Sequence, residues 1–162
     1  MRHVLSTCAI ALIAVGLTAC NKAETPKAST SSEASLSEAD AAKVADDTVK
    51  VWTSMDAAKI KALYAPSVVA YDFAAAALPK DRAEFDKRQD DFAAAKLDGA
   101  SQVERKIQVL SPISFVMSGT WNMTSSTKPA GNGEIRCTDV FQNDTGKWTI
   151  VNEHCSMVPK TA

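Results

Sequence analysis

The feature that most constrains this fold is a change of hydrophobic period part-way along the chain. Up to about Gly99, apolar residues recur at helical spacing; beyond it they recur at every second position. A helix buries a stripe of period 3.6 and a half-buried strand buries alternate residues, so the pattern predicts an α+β domain with its helices first. Val44, Thr48, Val51, Trp52 and Met55 fall on one face and predict a long helix from about Ser37 to Met55. Its start is marked by Ser35-Leu36-Ser37-Glu38, in which Ser35 caps and Glu38 reaches back. Asp56 caps a second, short helix through Lys59, Ile60 and Leu63. That helix ends near Tyr64-Ala65-Pro66, because a residue before proline avoids helical geometry. Ser67 to Phe73 reads as a strand, and Asp81-Arg82-Ala83-Glu84 opens a third helix that ends near Asp98-Gly99.

The second half reads as strands. Val103, Ile107 and Val109 lie in one; Ile113, Phe115, Met117, Trp121 and Met123 alternate along another. After a break at Pro129 to Gly133, Ile135 to Gln142 and Trp148 to Met157 form a hairpin. Asn143-Asp144-Thr145-Gly146-Lys147 supplies the turn, with Gly146 taking a positive φ. A hairpin closed symmetrically around Asp144-Thr145-Gly146 sets Arg136 opposite His154, Thr138 opposite Asn152 and Val140 opposite Ile150. These six then share one face with Trp148, and Cys137, Asp139, Phe141, Val151, Glu153 and Cys155 take the other.

The N-terminus carries a separate signal. Arg2-His3 precedes an almost wholly apolar run from Val4 to Leu17, too short to span a bilayer and suited to a signal-peptide core. It ends in Leu17-Thr18-Ala19-Cys20, which resembles the bacterial lipobox, whose cysteine is lipidated and becomes the new N-terminus. The expected organisation is a signal peptide over 1–19, lipidated Cys20 with a tether over 20–34, and a folded domain over 35–162. Asn21 to Ala34 has no large apolar residue and cannot offset chain entropy by burial. The expected location is the cell envelope, membrane-anchored through the lipid and facing the periplasm, with the outer membrane favoured because Asn21 rather than aspartate follows Cys20.

Lys and Arg number 18 against 19 Asp and Glu, and they are scattered, so no basic patch for nucleic acid is present. No nucleotide, flavin or metal motif occurs, and no cofactor is expected. Cys8 leaves with the signal peptide and Cys20 takes lipid, which leaves Cys137 and Cys155 as a disulfide candidate in an oxidising compartment. The symmetric register sets Cys137 opposite Glu153 and diagonal to Cys155; a two-residue shift or a bulge sets the cysteines opposite.

Arg136-x-Thr138-x-Val140-Phe141, then Gly146-Lys147-Trp148-x-Ile150-Val151-x-Glu153-His154-x-Ser156, resembles the last two strands of the nuclear transport factor 2-like superfamily, in its SnoaL-like branch. Trp52, Asp56, Leu63-Tyr64-Ala65 and Tyr71-Asp72-Phe73 agree with its earlier half. The resemblance implies a cone: a strongly bent, mostly antiparallel sheet wrapped around a long N-terminal helix and enclosing a pocket. It also implies homodimers paired through the convex sheet face, with Phe141 and Val151 on that side. Members include ketosteroid isomerase, polyketide cyclases, dehydratases and non-catalytic oligomerisation domains, so the fold alone leaves the activity open. On the implied concave face, Arg136, Thr138, Asn152 and His154 form a polar pocket end, and Trp52, Trp121 and Phe115 give apolar walls.

Each residue has a second reading. His154 is a proton carrier or a hydrogen-bonded structural histidine; Arg136 grips a carboxylate or pairs with an acid of the protein. Asp72 is a general base or a strand-end acceptor, and both tryptophans are pocket walls or core. Three functions follow: a non-catalytic pocket or assembly domain, an enzyme of proton transfer, isomerisation or hydration on a small hydrophobic substrate, and a structural protein that dimerises. A catalytic member needs a carboxylate or histidine at a pocket floor; an assembly module needs a filled pocket and an apolar outer sheet face.

Overall fold

The computed structural model describes residues 35–159 apart from 74, 76, 128, 130 and 131. The lipobox and Cys20 lie outside the described residues. Helices α1 (Glu38–Thr53) and α2 (Ala57–Ala62) lead into strand β1 (Tyr64–Tyr71), followed by α3 (Arg82–Ala93). Strands β2 (Gly99–Ser111), β3 (Ser114–Thr124), β4 (Gly133–Asp144) and β5 (Lys147–Met157) complete the chain. The sheet runs β1-β5-β4-β3-β2, with β1 parallel to β5 and every other pair antiparallel. It is curled and unclosed, an α+β cone.

Capping sets the helix starts. Asp56 accepts from the Ala58 and Lys59 amides, and Asp81 from Glu84. The α1 cap is Ser37 and not Ser35: its Oγ accepts from the Asp40 amide at 3.1 Å. The first helix buries small residues, Ala41, Ala45 and Thr48, which lets it lie close against the sheet. Beneath it, Ile60, Phe115, Met117, Phe141 and Ile150 are at most 1 % exposed, with the Phe115 and Phe141 rings stacked at 4.4 Å. A second cluster of Trp121, Met123, Ile135 and Cys137 takes in Trp52, Phe92 and Leu97.

Val103 lies in a strand as expected; it is the extra residue of a bulge between the Gln102–Trp121 and Glu104–Thr120 pairs and is exposed. One strand expectation changes: Ile113, expected to alternate with Phe115 along a strand, is exposed at the β2–β3 turn. The third helix stops at Ala93, short of Asp98, and the chain turns at Lys96, whose φ is 50°.

The last hairpin decides the site. Its turn has two residues, Thr145 (φ 52°) and Gly146 (φ 89°), between paired Asp144 and Lys147. Both central residues lie in the left-handed region, as a tight primed turn requires. The two-residue loop shifts the register by one from the symmetric three-residue closure. A bulge at Val151, between the Phe141–Ile150 and Val140–Asn152 pairs, shifts it by one more. The outcome pairs Thr138 with His154, Asp139 with Glu153, and Cys137 with Cys155.

These two local features exchange the faces. Ile135, Cys137, Asp139 and Phe141 are buried on the helix-covered face, whereas Arg136 and Thr138 are exposed on the other. On β5, Ile150 points inward as expected, but the bulge reverses the phase beyond it. Glu153 is therefore buried, and Asn152 and His154 are exposed. Phe141, expected on the convex face, is core.

Candidate functional site

A cleft with an enclosed volume of about 80 Å³ opens between α1, α3 and the inner face of the sheet. Its walls are mainly apolar. Trp52 from α1 and Trp121 from β3 meet edge to face at 5.9 Å, and Phe73, Phe92, Leu97 and Met123 extend the lining. The Cys137–Cys155 disulfide joins directly opposed residues, with Cα atoms 4.1 Å apart, and forms part of the same wall.

The polar groups converge on one buried chain of contacts. Trp52 Nε1 donates to the Tyr64 hydroxyl at 3.2 Å, and that hydroxyl donates to Glu153 Oε2 at 2.7 Å. Tyr64 is held by β1, whose neighbour Leu63 accepts from the Ile150 amide, and by the edge of Phe85 at 4.8 Å. Glu153 and Tyr64 line the cleft; Asp139, 1 % exposed, lies directly across from Glu153 on β4. Neither oxygen of Asp139 meets an N–H or O–H donor, so its polar neighbour is the Glu153 carboxyl itself.

Burial governs the protonation of this group. It pushes the Glu153 carboxyl up to about 7; the charge of Asp72 adds to the rise, while the hydrogen bond from the Tyr64 hydroxyl opposes it. Burial, then the nearby Glu153 charge, holds Asp139 well above the usual carboxylate range. Tyr64 is raised as well, first by burial and then by the two acids. Two carboxyls this close and this dry cannot both ionise cheaply, so they share a proton near neutral pH. The arrangement can hold or transfer one proton at the cleft wall.

The sequence-predicted residues divide between two faces. Trp52, Trp121 and Asp72 line the cleft. Arg136, Thr138 and His154 come together on the outer face, along a shallow groove of about 400 Å³ shared with Lys106, Glu104 and Ser118. There Arg136 Nε donates to Ser156 Oγ at 3.1 Å, and the His154 ring lies 5.6 Å from that of Tyr71. Asn152 is exposed on that face too, and Phe115 is core rather than cleft wall. The expected polar pocket end of Arg136, Thr138, Asn152 and His154 is thus corrected: the two-residue turn and the Val151 bulge turn it outward.

Tyr64, Glu153 and Asp139 escape the sequence reading. A signal for Asp139 exists, because Ile135, Cys137 and Phe141 form the apolar stripe of β4 and Asp139 falls on it. Among the described residues no cluster of His, Cys, Asp or Glu is arranged to hold a metal, and no helix is long and apolar enough to cross a membrane.

The family profile of the SnoaL-like domain matches residues 42–160. The chain belongs to the SnoaL-like domain family. No curated protein matches the sequence of this SnoaL-like domain. Solved structures share its fold. A candidate calcium/calmodulin-dependent protein kinase II association domain from Xanthomonas campestris is 23 % identical, with a TM-score of 0.65, over 78 % of this chain and 91 % of that one. A candidate ketosteroid isomerase from Parabacteroides distasonis is 17 % identical, with a TM-score of 0.61, over 72 % and 86 %. A candidate dehydratase of the nuclear transport factor 2-like family from Streptomyces avermitilis is 15 % identical, with a TM-score of 0.60, over 73 % and 94 %.

Proposed function

We propose that this SnoaL-like domain is an envelope-anchored pocket domain that binds a small, mainly apolar molecule, with Glu153 placed to exchange a proton with it. The carrying observation is the open apolar cleft with a buried carboxyl of neutral-range acidity in its wall. Convergent polar groups in an apolar concavity are the usual form of a small-molecule site. The enclosed volume is well below the roughly 300 Å³ at which drug-sized pockets begin, so the ligand is small or inserts only one end. The open cleft, and the polar run of Arg136, Thr138, His154 and Ser156 on the outer face, favour a pocket over an assembly module. Anchoring rests on Leu17-Thr18-Ala19-Cys20 and its apolar lead-in.

The test is a ligand-observed NMR screen of small fragments against the wild type and Ala100→Phe, which plugs the cleft from β2. Hits that Ala100→Phe abolishes support the pocket. No hits, or hits the plug leaves unchanged, overturn it.

A second reading is catalysis by proton transfer. It is favoured by the Tyr64–Glu153–Asp139 chain of contacts and is compatible with the isomerase and dehydratase candidates among the structural neighbours. Deuterium exchange from D2O into a small ketone, faster with the wild type than with Glu153→Gln, supports it; equal rates overturn it.

A further inference from the structure

The sign of the charges around the cleft narrows the ligand. Asp72 and Glu153 both line it, and none of its described lining residues is Lys, Arg or His. The two arginines of α3 are committed elsewhere. Arg82 pairs with Asp86 at 2.7 Å and donates to the Lys61 and Ala65 carbonyls; Arg88 pairs with Glu84 and the Ala77 carbonyl. Behind Glu153, on the same inner face, lies a second buried acid, Asp139. The walls suit the same guest, since Trp52, Trp121, Phe73 and Phe92 present indole and phenyl rings to the cleft. Aromatic rings attract a cation through the negative potential of their faces, most strongly where water is excluded.

We propose that the cleft takes a small organic cation, an ammonium group on an apolar body about the size of one aromatic ring, with Glu153 and Asp72 opposing the charge and Trp52 and Trp121 against the body. This rests on the pocket reading above and adds the chemical class of the ligand. The enclosed volume of about 80 Å³ suits one ring or a short alkyl chain. An anion there would meet two acids and, among the described lining residues, no cation.

Three probes of nearly one shape separate these cases: benzylamine, cationic at neutral pH, benzyl alcohol and benzoate. Titration calorimetry on the full-length protein at pH 7.5 should show benzylamine binding at least about tenfold more tightly than benzyl alcohol, with no benzoate binding. A tenfold ratio corresponds to about 1.4 kcal/mol. Glu153→Gln and Asp72→Asn should each shrink the ratio of benzylamine to benzyl alcohol affinity several-fold. Glu153 is buried, so Asp72→Asn at the cleft edge serves if Glu153→Gln fails to fold. Benzyl alcohol binding as tightly as benzylamine, or benzoate binding best, overturns the cation proposal and leaves the pocket standing. An unchanged ratio in Asp72→Asn with a folded Glu153→Gln also unchanged overturns it too. Binding of none of the three, together with an empty fragment screen, overturns the pocket reading and this proposal with it.

Discussion

At the scale of single residues, Glu153 and Asp139 are the costly positions. Each is an acid in the dry interior whose acidity is weakened by burial, Glu153 to about 7. The unfolded chain releases these protons at ordinary carboxylate pH, while the folded chain keeps them. The unfolded state therefore binds fewer protons between about pH 4.5 and 7, and stability falls as pH rises through that window. We expect the melting temperature to drop by several degrees from pH 5 to pH 8, and the drop to shrink in Glu153→Gln, as read by scanning calorimetry. A melting temperature that does not drop over this range would show that the pair ionises at ordinary carboxylate pH. Such acids persist against their cost where they serve a ligand, which is why they, and not the exposed His154, carry the functional reading.

At the scale of elements, one extra residue decides which side chains see the cleft. Val151 is the surplus residue on β5, and beyond it the alternation reverses. Since side chains alternate with period two, a one-residue change moves every later residue to the other face. Deleting Val151 should make the pairing continuous from Phe141–Ile150 to Val140–Asn152, so Glu153 and Cys155 keep facing inward and Cys137 stays opposite Cys155. Thiol titration of the unreduced, denatured variant should find no free thiol from this pair, as in the parent. Two additional free thiols would mean that the strand beyond residue 151 does not hold its register without the bulge. The disulfide itself closes a sequence separation of 18, for which loop-closure entropy alone gives about 3 kcal/mol. The β2 bulge at Val103 has a matching close approach. A Cβ on Gly119 would lie 2.9 Å from the Glu104 carbonyl and 2.9 Å from Gln102 Nε2.

At the scale of the whole molecule, anchoring and pairing remain to be measured. Cys20→Ala should abolish incorporation of labelled palmitate; retained label would end the lipoprotein assignment. Pairing through the outer sheet face should give a dimeric mass by light scattering at micromolar concentration, with Cys20→Ala protein used to remove the lipid. Its middle presents Arg136, Thr138, His154 and Ser156, so such a contact would be polar and salt-sensitive, and a single monomeric mass would exclude it.

The sequence by itself determined the α+β class, the order of helices and strands, two of the three helix caps and the alternation of β3, because these depend on local periodicity and local hydrogen bonding. The resemblance in the last hairpin added the cone and its family. The tertiary structure decided which face of that hairpin is inside. Sequence composition tells how a strand alternates; its absolute phase depends on how many residues the turn uses and where the pairing slips. Here the turn holds two residues and Val151 is left over. A symmetric closure therefore placed Arg136, Thr138, Asn152 and His154 in the pocket, and the folded chain placed Glu153, Cys155, Cys137 and Asp139 on the inner face instead. Tyr64 was equally out of reach, since its partner is 89 residues away and only the parallel β1–β5 pairing brings the two together.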